Sequence, residues 1–121
     1  MDAVHVFISN GRFTSFEEMR AYIDCGYTED GDAVPSEFGK QVGLSSYEPM
    51  CIEAIISESG QPIRLTELLG EVSYCKQWLP ALDTNRLADS AICIFSPNKV
   101  STPGNSALEY LGQFEFNPEL L

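Results

Sequence analysis

Hydrophobic positions in this chain change period several times, and each change predicts a boundary between elements. Val4-His5-Val6-Phe7-Ile8 is a β-branched and aromatic run that stops at Ser9-Asn10-Gly11, which predicts a strand and then a turn. Ser15-Phe16-Glu17-Glu18 has the form of a capping box, Ser15 and Glu18 each satisfying an amide that the first helical turn leaves open. Phe16, Met19, Tyr22 and Ile23 then recur at helical spacing and are expected to face the core. Gly26 is the expected residue just past the helix, which places Cys25 in its last turn. Further on, Pro35, Ser36 and Glu37 suit the first turn of a short helix reaching Val42 or Gly43, with Phe38 and Val42 buried. Gly39 weakens that helix.

From Cys51 to Glu58, Ile52, Ala54 and Ile56 alternate with Cys51, Glu53, Ile55 and Ser57, the period of a strand. Ser59-Gly60-Gln61-Pro62 is a turn. A helical block is expected from Arg64 to Leu82, interrupted near Gly70 and ending or kinking at Pro80. Ala91-Ile92-Cys93-Ile94-Phe95 is apolar throughout, as befits a central strand buried on both faces. Ser96 to Ser106 reads as a loop. Leu108 to Phe116 reads as an edge strand with Leu108, Tyr110, Phe114 and Phe116 on one aromatic face. The order β-α-α-β-α-β-β predicts an α+β fold, a mainly antiparallel four-stranded sheet with helices packed on one face. No repeat or low-complexity linker divides the chain, and 121 residues fit one domain over 1–121.

Composition changes this picture mainly through charge. The apolar fraction of 44% is ordinary for a globular protein, but eighteen acids against seven bases give a net charge of −11. Direct binding to nucleic acid or to an anionic membrane is therefore not expected. Capture of a cationic protein is favoured, by about 10 to 10³ in association rate at low salt. The opening Met-Asp-Ala-Val-His-Val has no basic stretch before an apolar run, so no signal peptide is expected, and no apolar run reaches the length of a membrane span. A cytoplasmic protein is the expectation. Cys51, Cys75 and Cys93 sit among apolar neighbours, so reduced, packed cysteines are expected rather than disulfides.

Catalytic chemistry finds little support. His5 is the sole histidine, it lies inside a predicted strand, and no cysteine can be placed beside it, so it reads as structural. No Cys-x-x-Cys exists for zinc, and Glu29-Asp30-Gly31-Asp32 lacks the alternating ligands and the twelfth-position glutamate of a calcium loop. No phosphate-cradling glycine pattern is present. In so acidic a chain any chosen carboxylate pair is uninformative. Neither an enzyme nor a cofactor is expected.

A surface remains. Between Tyr27 and Pro49 stand Glu29, Asp30, Asp32, Glu37 and Glu48, against the single cation Lys40, among Gly31, Pro35, Gly39 and Gly43. From Ala21 to Ile63 there are eight acids and one base, with Tyr22, Tyr27, Phe38 and Tyr47 interleaved. Acids that steer and tyrosines that anchor make a protein–protein interface against a basic target. The plainer reading is that Tyr22 and Phe38 are core and the acids are solvated. A generic interaction domain would show the same acids, and a small hydrolase would lose turnover with one carboxylate.

The run YTEDGDAVPSEF, the following Gly43-Leu44-Ser45-Ser46-Tyr47-Glu48, and the Glu53-Ala54 pair resemble the immunity protein 22 family of bacterial polymorphic toxin systems. The opening strand, the capped helix ending before Tyr27 and the Leu68-Leu69-Gly70 segment followed by Tyr74 fit the same pattern, so the resemblance covers most of the chain. It implies a small cytosolic α+β protein that binds and neutralises a cognate toxin, often a nuclease. On that footing Asp30, Asp32, Glu37 and Glu48, with Glu29 beside them, would supply charge, and Tyr27 and Tyr47 would anchor the toxin.

Overall fold

A computed structural model gives the fold and describes residues 2–45, 48–82 and 85–120. In chain order it runs β1 (Asp2–Ser9), α1 (Phe16–Ile23), β2 (Gly26–Tyr27), β3 (Ala33–Val34), α2 (Glu37–Val42) and β4 (Leu44–Ser45). It continues through β5 (Ile52–Ile56), β6 (Ile63–Arg64), α3 (Leu65–Leu68), α4 (Cys75–Trp78), β7 (Leu87–Ala88), β8 (Ser90–Phe95), β9 (Lys99–Val100) and β10 (Glu109–Phe116). Four of the strands form one sheet in the order β10-β1-β8-β5, antiparallel at every pairing. The α+β class and the four-stranded antiparallel sheet are those expected from the sequence.

The helices, however, cover both faces of the sheet and not one. The cause lies in β1 and β8, which are apolar on both sides. Val4, Val6, Ile8, Ala91, Cys93 and Phe95 face one layer, where Leu65, Leu68, Leu69, Val72 and Trp78 cover them. Phe7, Ile92 and Ile94 face the other, beneath Met19, Tyr22 and Ile23 of α1 and Phe38 and Val42 of α2. A strand with two apolar faces must be covered twice. β8 is buried at every residue, as its uninterrupted apolar run predicts.

Several boundaries differ from the sequence reading, each for a local reason. Ser15 caps α1 as expected, accepting from the Glu18 amide, but the Glu18 carboxylate reaches to Thr14, whose hydroxyl and amide both donate to it. Gly26 does not close α1. The helix stops at Asp24, whose extended backbone leads directly into β2. The interruption expected near Gly70 is present but longer: α3 ends at Leu68, and α4 starts only after Tyr74, which takes a left-handed conformation at φ 59°. Tyr74 stacks on Phe116 at 4.6 Å between ring centroids, which offsets the cost of that backbone.

The aromatic face expected on the last strand is split in two. Val6 pairs with Gly112 but Phe7 with Tyr110, so Leu111 is an extra residue in the ladder. Gly112, at φ +135°, adopts backbone that a side chain would resist. Past this bulge the alternation inverts: Tyr110 packs with Phe7, while Phe114 and Phe116 turn to the opposite layer.

His5 is structural, as its isolation in the sequence implied. It is buried, its Nδ1 lies 3.0 Å from the Tyr110 hydroxyl, and burial lowers its pKa below the ordinary histidine value. Below about pH 6.5 the unfolded chain therefore holds a proton that native His5 refuses. Stability is unpenalised above that pH and falls as pH drops toward the folded pKa. We expect His5→Gln to remove this part of the slope, read from urea midpoints at about pH 7.5 and about pH 5.5.

Candidate functional site

The acidic stretch folds into a hairpin. β2 and β3 pair Gly26 with Val34 and Tyr27 with Ala33, and every residue from Gly26 to Pro35 is exposed. The loop between them is closed by its own backbone. The Thr28 amide donates to the Asp32 carbonyl at 2.9 Å, the Gly31 amide to the Thr28 carbonyl at 2.9 Å, and the Asp32 amide to the Thr28 hydroxyl at 3.1 Å. Gly31 supplies the positive φ of 86° that the turn requires. The carboxylates of Glu29, Asp30 and Asp32 take no part in these bonds, so all three point charge outward from a tied loop.

Tyr27 is 69% exposed, an extreme value for a large side chain that no core residue covers. Cys25 beside it raises the phenol pKa, by a side-chain hydrogen bond first and by charge second, so the ring stays neutral. Val34, across the hairpin, is also exposed. The sequence reading passed over Val34, which pairs with Gly26 and so has no side chain opposite it to pack against.

Glu37 begins α2, three residues past the hairpin. Ser36 caps the helix by accepting from the Gly39 amide at 2.9 Å, which leaves the exposed Glu37 carboxylate free to complement the helix N-terminus. α2 is fixed to the core through Phe38 against Tyr22 at 5.3 Å and through the bond from the Tyr22 hydroxyl to Gln41. Tyr22 and Phe38 are thus core residues and not contact aromatics.

Glu48 belongs to a different locus. Its amide donates to Asn98 Oδ1 at 2.6 Å, and Asn98 Nδ2 donates back to the Glu48 carbonyl at 3.0 Å, so the buried Asn98 clasps this segment to the turn before β9. Two residues on, Met50 is 89% exposed. Tyr47 lies outside the described residues. The structure therefore gathers Tyr27, Glu29, Asp30 and Asp32 on one hairpin, sets Glu37 at the helix that follows, and holds Glu48 by a separate clasp.

Among the described residues no three His, Cys, Asp or Glu side chains converge in a way that would hold a metal ion. Cys93 is fully buried, and burial pushes its thiol pKa far up, so it is an inert packing residue. No helix among the described residues is long and apolar enough to cross a membrane.

The immunity protein 22 family model matches residues 6–117, from within β1 to just past the end of β10, the whole hairpin included. The chain belongs to this family. No curated protein and no solved structure gives a match. Immunity protein 22 is a toxin-inhibitor family, so this immunity protein has a toxin as its partner.

Proposed function

We propose that this immunity protein neutralises a cationic nuclease toxin, with the β2–β3 hairpin and the start of α2 as the surface that meets it. The exposed hairpin carries the proposal: three unengaged carboxylates and one exposed tyrosine on a loop tied by backbone bonds. A nuclease has to present cations to phosphate, so an acidic protein can occupy the same surface. A field of this sign draws such a partner in, and the exposed Tyr27 offers an aromatic anchor that becomes buried once the interface forms. Glu29, Asp30, Asp32 and Glu37 supply the charge. Glu48 and Tyr47 complete the proposed surface, as the family resemblance implies.

Capture of the partner from lysate of the native organism tests this reading. At 0.5 M salt exposed charges are screened beyond about 4 Å, so partners held by steering alone are washed away. The expected result is one retained basic domain that cleaves nucleic acid and is silenced by an equimolar amount of this protein. A retained partner without nucleolytic activity would remove the nuclease from the proposal.

A further inference from the structure

β5 is an edge strand. One side pairs with β8, and among the described residues no strand is bonded to the other. The Ser57 amide donates to the Asp89 carbonyl at 2.7 Å, so the backbone of Ser57 faces the β8 side. Strand alternation then turns the amides and carbonyls of Ala54 and Ile56 toward the free side. Beside this edge runs a groove of about 640 Å³. Phe16 and Arg20 of α1 form one wall, and Glu67, Leu68, Glu71 and Val72 form the other. Phe16 is 45% exposed here, at the one position of its helical stripe that does not reach the core.

Open edges are templates for another strand, and natural proteins usually cover or blunt them. This one carries no proline, and its charge has one sign. Glu53, Glu58, Glu67 and Glu71 line the groove against Arg20 alone, which is already ion-paired with Asp24. A second copy of this chain would bring the same glutamates and another net charge of −11 to the same edge, so self-pairing is opposed. A cationic strand meets no such barrier.

The geometry points to strand addition: the free edge of β5 accepts an extended, cationic segment of the toxin as a fifth strand of the sheet. This rests on the reading that the partner is a cationic protein. Main-chain bonds to Ala54 and Ile56 supply affinity, and alternate side chains supply specificity. Residues on one face of the added strand lie toward Phe16 and Ile56, where apolar side chains fit. Those on the other lie toward Glu67 and Glu71, where lysine or arginine fits.

The test uses the full chain and a synthetic peptide of about eight residues alternating lysine and valine, long enough for one strand. A control peptide is N-methylated at alternate residues, in both registers. We expect the plain peptide to shift the backbone amide signals of Ala54 and Ile56 and to slow their hydrogen exchange. N-methylation in the bonding register weakens binding at least about tenfold, and Glu67→Lys with Glu71→Lys weakens it about tenfold. Both glutamates are exposed, so the variant folds, which circular dichroism verifies. The same change of charge made away from both surfaces, Glu115→Lys with Glu119→Lys on and just past β10 at the opposite edge of the sheet, leaves peptide binding within about twofold of wild type. Equal binding of plain and methylated peptides, signals shifting at the hairpin instead of β5, or no binding would each overturn strand addition. None of these results touches the hairpin proposal, which is tested on toxin inhibition.

Discussion

Reversing Asp30 and Asp32 to lysine is expected to slow association with the toxin about 10- to 100-fold at low salt. Each reversal removes a negative charge and adds a positive one at the tip of an exposed hairpin. Neither carboxylate holds the loop together, because the closing bonds come from backbone groups and the Thr28 hydroxyl. The variant therefore keeps its fold, with stability within about 0.5 kcal/mol of wild type. Rapid-mixing kinetics at several salt concentrations check this directly: the gap between the two proteins closes as salt rises. Equal association rates at low salt would place the toxin contact elsewhere on the surface.

Phe7→Ala acts at the opposite extreme, on stability. Phe7 is completely buried at the centre of the sheet, edge-on to Phe38 at 5.1 Å and tilted against Tyr110 at 5.1 Å. Truncating a core phenylalanine costs about 3–5 kcal/mol through lost transfer energy and the cavity left behind. Domains have about 5–15 kcal/mol in total. We expect a fall in the melting temperature on the order of 10 °C or more, while Tyr27→Ala leaves it nearly unmoved. Thermal melts of the two variants side by side separate core from surface. An unshifted melt for Phe7→Ala would contradict the two-layer packing that places Phe7 beneath α1 and α2.

What the sequence made legible is what local chemistry decides. The run Ala91 to Phe95 reads as a central strand because both faces are apolar. Ser15 and Ser36 begin their helices because their hydroxyls satisfy the open amides, and Gly43 ends α2 in a left-handed conformation at φ 66°. The misreadings arise where long-range packing overrides a local period. Gly70 marks a break in the helical spacing over 64–82, yet the gap runs on to Tyr74, which stacks on Phe116, a residue 42 positions away. The alternation across Gly112 looks unbroken in sequence because a bulge adds a residue without altering the pattern of types. Phe16 is in phase with Met19 and Ile23, but it lies at the first turn of α1, over the edge of β5, where no further strand among the described residues rises to meet it.

The candidate surface was legible to a similar degree. The density of acids and turn residues marked the stretch after Tyr27, and Asp30-Gly31 marked the turn. Pairing of β2 with β3 could not be read, because two-residue strands carry no period. Nor could the division between the hairpin acids and Glu48, which is made by Asn98, fifty positions further along.

The central claim, neutralisation of a toxin by the acidic hairpin, is tested most directly in growing cells. The toxin domain retained in the capture experiment is induced together with wild-type protein or with the folded Asp30→Lys, Asp32→Lys variant, at matched expression. The account predicts survival with wild type and a loss of protection with the variant. Full protection by the variant would contradict it.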